Sequence, residues 1–197
     1  MLPYEDVVLA VPATIAARIV PGLVVPDDYA PIVNAHFRYG AAINAPPLLG
    51  IIGGTAEWVF RKRDILSVTV SAADRIVGLP ADELRDILWR DVAQALALDP
   101  APVPPARIVK ERRATFRATP AQLARRPPTA TVWNNLHLAG DYVDTGLPAT
   151  IEGAIRSGVA AAGRITRRRD PELMPVGFSS PAISLPTTTQ DCERALP

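Results

Sequence analysis

The chain is poor in the residues that most often announce chemistry. Among its 197 residues there are one cysteine and two histidines. Cys192 stands in a polar stretch near the end, which excludes a disulfide framework and a cysteine metal site and fits a reducing compartment. His36 and His137 have no carboxylate or cysteine neighbours at ligand spacing. No metal site is expected, and structural roles are expected for both. Charge of one sign is also missing. Lys+Arg 21 against Asp+Glu 20 leaves +1, so no nucleic-acid partner is expected. The apolar run 7–17 is broken by Pro12 and closed by Arg18, short of the roughly 20 residues that span a bilayer. Residues 1–6 have neither a basic nor an apolar leader region, which predicts no signal peptide. A cytoplasmic protein is expected, with peripheral contact at the inner membrane as its closest approach to lipid.

One more absence concerns glycine. Before position 140 the glycines fall at 22, 40, 50, 53, 54 and 78, and no two are two residues apart. The G-x-G-x-x-G turn that cradles a dinucleotide pyrophosphate is therefore missing. Gly50-Ile51-Ile52-Gly53-Gly54 is no substitute, because a strand and not a helix is predicted there.

What is present is enough apolar sequence, 48%, for a sizeable core. Val7-Val8-Leu9-Ala10-Val11 predicts a strand buried on both faces of a parallel sheet, ended by Pro12. A short helix over 13–19 stops at Pro21-Gly22. Ile32, Asn34, His36 and Arg38 alternate with Val33, Ala35, Phe37 and Tyr39, predicting a half-buried strand over 31–39. Further strands are expected over 50–60, 65–71 and 107–117, with a charged turn over 61–64. Pro80, Asp82 and Glu83 open a helix whose buried face is read as Leu84, Ile87, Leu88, Val92, Ala95 and Leu96. Residues 99–105 form a Pro-rich connector, and 119–128 an exposed turn or short helix. After Ile165 a charge run, Arg167-Arg168-Arg169-Asp170, leads into Pro-, Ser- and Thr-rich sequence, read as a disordered tail over 166–197.

The richest stretch runs from Leu138 to Gly158: LAGDYVDTGLPATIEGAIRSG. It predicts a strand ending in Gly140-Asp141, a short loop, and a helix beginning at Pro148. Gly140 permits close approach of the chain to a ligand, and Asp141 can accept hydrogen bonds from hydroxyls. Free amides around Ala149 and Thr150 would present the positive end of the helix dipole, suited to the negative charge of a reduced flavin. Ala149, Gly153, Ala154, Gly158, Ala161 and Ala162 keep the helix thin, while Ile151, Ile155 and Ile165 are expected to pack on the sheet.

This run resembles the C-terminal cofactor motif of the amine oxidase and phytoene desaturase superfamily of FAD-dependent oxidoreductases. It is most similar to the squalene-associated branch, the hydroxysqualene dehydroxylases of hopanoid biosynthesis. Val8-Leu9-Ala10-Val11-Pro12, Trp58-Val59-Phe60, the run from Val109 to Phe116 and Arg126-Pro127 agree with that branch. The resemblance covers about 5–165. It implies an α/β fold with an α+β substrate domain: the C-terminal part of a two-domain flavoprotein without its N-terminal Rossmann βαβ. The divisions expected are 1–29, a remnant of the FAD-binding domain; 30–130, the substrate domain, an antiparallel sheet plus helices; 131–165, the C-terminal FAD-binding segment; and the tail.

By the same resemblance, Gly140 and Asp141 would meet the ribityl–phosphate part of FAD. Leu147, Pro148, Ala149 and Thr150 would pass the pyrimidine side of the flavin, and Ala10, Val11 and Pro12 would lie near the adenosine half. Tyr39, Trp58, Phe60 and Trp133 are candidates for the wall of an apolar substrate cavity. Lys110, Glu111, Arg112 and Arg113 can reach a phosphate or headgroup, or simply form an exposed edge. No catalytic residue is identified. The implied chemistry is hydride transfer at the flavin, with hydroxysqualene losing its hydroxyl to give squalene and NADPH as reductant of the complete enzyme. The implied partner is a long isoprenoid substrate. A carotenoid desaturase or an amine oxidase relative is the alternative; of another class are an inactive fragment and the non-catalytic half of a split enzyme, which would pair with a separate N-terminal polypeptide carrying the Gly-rich turn.

Overall fold

The computed structural model describes residues 6–40 and 45–169. The chain divides into two compact units, Met1–Ala161 and Ala162–Pro197. The described part of the second unit, 162–169, is helical, with Thr166 Oγ1 donating to the Ala162 carbonyl at 3.1 Å. The expected tail therefore begins as helix through Arg169, and its remainder lies outside the described residues.

In the first unit a five-stranded antiparallel sheet has the order β3-β4-β5-β2-β6. Its strands are β2 (Tyr29–Arg38), β3 (Leu48–Gly50), β4 (Trp58–Lys62), β5 (Ile65–Val70) and β6 (Ala106–Phe116). The period-2 pattern decides which face is buried. Val33, Ala35 and Phe37 of β2 share the core side with Val59, Leu66, Val68 and Val70. They pack on helix α2 (Ala81–Ala95) through Leu84, Leu88, Trp89, Val92 and Ala93. Two residues of the expected helix face are corrected here. Ala95 is exposed and Ile87 only half-buried, while Trp89 takes the central place. Its indole N–H donates to the Pro100 carbonyl at 3.0 Å, and its ring meets Phe37 and Tyr39 at centroid distances of 5.2 and 5.7 Å.

The strand expected over 50–60 is two strands separated by a loop. Asp91 on α2 explains the break: its Oδ2 accepts the amides of Thr55 at 2.6 Å and Ala56 at 2.9 Å. Those amides are then satisfied by a side chain and need no neighbouring strand. The β2–β6 register shifts between Ala30 and Ile32. Pro31 sits at the shift, where its missing N–H breaks no ladder bond. The residues added on the β6 side are Arg112, Arg113 and Ala114.

A second, two-stranded parallel sheet pairs β1 (Val7–Leu9) with β7 (Leu136–Leu138). β1 is shorter than expected, and it is not buried on both faces, because Val8 is exposed. Helix α1 (Ala13–Ile19), a single turn of helix α3 (Pro120–Leu123) and helix α4 (Ile151–Arg169) complete the elements of the described residues. A second core of Ala13, Ala16, Val25, Phe116, Leu138, Tyr142 and Val143 fills the space around these strands. α4 buries only Gly153, Ser157 and Ala161, spaced four apart on one face. Ile151 and Ile155, expected to pack on the sheet, are instead exposed. The helix approaches on small side chains, Ile151 and Ile155 face outward, and Ile165 is half-buried.

Candidate functional site

A cleft of about 940 Å³ opens where the two sheets meet. Its walls come from the turn after β1, the start of α1, the joined ends of β2 and β6, the turn after β7, and the first turns of α4. Ala10, Val11, Pro12, Gly140, Asp141, Ala149 and Thr150 all line it. Leu147 and Pro148 do not.

The turn after β7 is shaped by Gly140. Its φ is +154°, and a Cβ there would stand 2.6 Å from Tyr142 Cε1. Ser157 of α4 ties this turn down. Its hydroxyl accepts the Gly140 amide at 2.8 Å and has the Ala154 and Gly140 carbonyls within reach at 2.6 and 3.1 Å. The helix itself starts at Ile151, not Pro148. Thr150 is the cap: its Oγ1 accepts the Gly153 amide at 3.1 Å, and its carbonyl accepts the Ala154 amide at 3.0 Å. This is the ordinary N-cap geometry. The amides directed along the axis are therefore those of Ile151 and Glu152, two residues further than expected. At Gly153 a Cβ would stand 2.9 Å from the Pro148 carbonyl, so this glycine lets the entering loop lie against the helix.

Sequence reading missed several lining residues. Tyr29 and Phe116 reach the cleft because they pair with each other at the end of β2 and β6. Ala114 reaches it at the register shift, beside Glu111 and Arg113, two of the four charged residues that the sequence offered for a phosphate or headgroup. The Pro31 position was the available signal. Of the charged run on β6, Lys110 turns away and donates to the Leu79 carbonyl. Burial, then Asp141, raises the Tyr29 pKa, and Arg113 opposes this.

Tyr142 is 1% exposed, and its hydroxyl has no hydrogen-bond partner among the described residues. Burial, then Asp141, then Tyr29 push its pKa up to about 12. The fold thus favours the protonated hydroxyl. That contribution is complete below the ordinary tyrosine value of 10.0 and is lost as pH rises toward about 12. Tyr142→Phe should remove this alkaline loss of stability. At neutral pH it should raise the melting temperature by a few degrees, because a buried hydroxyl without a partner costs about 1–3 kcal/mol. Thermal melts across pH 7–12 check both parts; a destabilised Phe variant at neutral pH would show that the hydroxyl has a partner.

The four aromatic residues expected in one wall are not brought together. Tyr39 lies on the α2 side of the sheet against Trp89. Trp58 and Phe60 stand exposed on the opposite face, opposite Thr69 and Ser67 of β5. That face also carries the Thr69–Asn34 hydrogen bond at 2.7 Å and the His36–Ser67 contact at 2.9 Å. Trp133 lines a separate apolar groove with Val20, Leu23 and Val132. Among the described residues no cluster of His, Cys, Asp and Glu could hold a metal, and no helix is long and apolar enough to cross a membrane.

Comparison with known proteins agrees with this architecture. The chain is 51% identical over 168 residues to a hydroxysqualene dehydroxylase of Rhodopseudomonas palustris, covering 82% of this chain and 40% of that protein. It is 49% identical over 160 residues to a hydroxysqualene dehydroxylase of Sinorhizobium fredii, covering 81% and 38%. The chain thus spans about two fifths of the length of these relatives. A solved structure of putrescine oxidase shares the fold, with a TM-score of 0.54 at 19% identity over 82% of this chain and 43% of that one. The sequence pattern of the flavin containing amine oxidoreductases matches residues 2–166. The fold, the glycine-shaped turn and the capped small-residue helix thus stand in a chain that belongs to the flavin containing amine oxidoreductase family.

Proposed function

We propose that this chain forms the flavin-ring side of an FAD-dependent oxidoreductase that converts hydroxysqualene to squalene. The observation that supports this most is the convergence of Gly140, Asp141, Ala149 and Thr150 on one cleft with Ala10, Val11 and Pro12. The lining fits part of the cofactor. Gly140 lets the turn lie against the buried Tyr142 ring, and the first turn of α4 offers the amides of Ile151 and Glu152 to an electron-rich ring edge. The Asp141 carboxylate, with no hydrogen bond of its own among the described residues, would accept from the ribityl hydroxyls. When bound, the flavin supplies two-electron redox chemistry that no side chain can provide. The chain's own task is to hold the ring, orient a flexible apolar substrate and exclude water. The sheet face bearing Trp58 and Phe60 is the wall proposed to meet the isoprenoid.

The sequence carries no G-x-G-x-x-G turn, and we assign the pyrophosphate to a separate N-terminal polypeptide that has one. The outward Ile151, Ile155 and Val159 of α4 and the exposed Val8 of β1 are apolar surface suited to that association. Titrating the isolated chain with FAD, then repeating with the N-terminal polypeptide present, tests the reading. Weak binding alone and stoichiometric flavin in the pair are expected, with squalene formed from hydroxysqualene and phytoene left unchanged when NADPH is the reductant. Stoichiometric flavin in the isolated chain would remove the need for a partner. No flavin in the pair would overturn the reading as a whole and leave the inactive fragment.

A further inference from the structure

The loop between β7 and α4, residues 139–150, contains no regular secondary structure, yet it forms the lip of the cleft. Its carbonyls need donors, and one side chain supplies most of them. The Arg126 guanidinium donates from Nη1 to the Leu147 carbonyl at 2.6 Å, and from Nη2 to the Val143 and Asp141 carbonyls at 2.5 and 3.2 Å. Its Nε lies 3.4 Å from the Tyr142 carbonyl. The plane of the same group rests on the Phe116 ring, 5.5 Å from its centroid, and Phe116 itself lines the cleft. The next residue adds a backbone bond, the Asp144 amide to the Pro127 carbonyl at 2.9 Å.

Among the described residues Arg126 has no acidic partner, although its neighbour Arg125 pairs with Asp27 at 2.7 Å. A surface arginine ordinarily spends its donors on carboxylate or water. Here the donors converge on one loop. The planar fork can address several carbonyls at fixed angles while its face stacks, which a lysine ammonium cannot do. Asp141 and Leu147 are held by this group at the two ends of the loop, just before Pro148, Ala149 and Thr150 enter α4.

We propose that Arg126 is a positioning residue: it holds the 141–147 loop in the shape that lets Asp141 and the start of α4 face the cofactor together. The inference rests on the flavin reading for its ligand, while the order of the loop can be measured without one. The test compares wild type, Arg126→Lys and Arg126→Ala in the full chain paired with the N-terminal polypeptide. Hydrogen exchange should accelerate at the amides of Val143, Asp144, Gly146 and Leu147 in both variants, while those of β2 and β5 keep their protection. FAD affinity should fall by at least about tenfold in both, and millimolar guanidinium should restore part of it to the Ala variant but none to the Lys variant. Unchanged loop exchange in the folded Lys variant would overturn the proposal. So would accelerated exchange with FAD affinity within a factor of about two of wild type. If the wild-type pair takes up no FAD, the flavin reading fails, and loop exchange alone decides whether Arg126 orders the loop.

Discussion

Replacing Gly140 with alanine will cost this chain several kcal/mol of stability. Two separate penalties meet at that position. A φ of +154° is a conformation that L residues rarely adopt, at a cost of about 1–3 kcal/mol. The new Cβ would also fall 2.6 and 2.8 Å from Cε1 and Cδ1 of Tyr142. That ring is fully buried in the second core, so moving it strains its neighbours by about another 1–3 kcal/mol. Neither penalty is relieved by a small backbone shift, because the buried Ser157 of α4 holds the Gly140 amide directly. Against a typical total of about 5–15 kcal/mol, the melting temperature should fall on the order of 10 °C. Gly78→Ala is the control: a Cβ at Gly78 meets nothing within 4 Å, and its melt should stay with wild type. Placing Gly140→Ala in a Tyr142→Ala background separates the terms, since the double variant keeps the backbone strain and loses the collision. A Gly140→Ala chain that melts within a degree or two of wild type would show that the turn is not strained.

The glycine in that turn was legible because the run from Leu138 to Gly158 joins Gly-Asp at a strand end to a small-residue helix through a short loop. The alternation in β2 was equally legible, since Val33, Ala35 and Phe37 write a period of 2 directly into the chain. What stayed hidden depends on contacts across long separations. The break between β3 and β4 exists because Asp91, some 35 residues on, takes two loop amides. Which members of the charged run reach the cleft, Glu111 and Arg113 and not Lys110, is set where β2 and β6 change register at Pro31, and no local pattern in β6 records this. Arg126 looks like any exposed arginine until the carbonyls of 141–147 fold around it. The start of α4 was misread by three residues for a different reason. Pro148 is a familiar first-turn residue, but Thr150 offers a capping oxygen and Pro148 offers none, and the cap decided the boundary.

The other large expected effect lies far from the cleft. Trp89→Ala removes the residue on which α2 and the five-stranded sheet meet, and should cost about 3–5 kcal/mol. Trp89 is 1% exposed, so the vacated space is interior and cannot fill with solvent without wetting Phe37 and Leu88. The indole also satisfies the Pro100 carbonyl at 3.0 Å, which would lose its partner in the connector that returns the chain to β6. For a chain of this size the melting temperature should drop by about 10 °C or more. Trp89→Phe keeps most of the volume and should lose far less, chiefly the bond to Pro100. Fluorescence makes the assignment direct, because Trp58 and Trp133 are exposed and Trp89 is not. Replacing Trp89 should shift the emission of the folded chain to the red, whereas replacing Trp58 or Trp133 should shift it to the blue. If Trp89→Ala instead melts close to wild type, α2 is not anchored through that ring. The separate cluster of Leu84, Leu88 and Val92 on the sheet would then suffice to hold the helix.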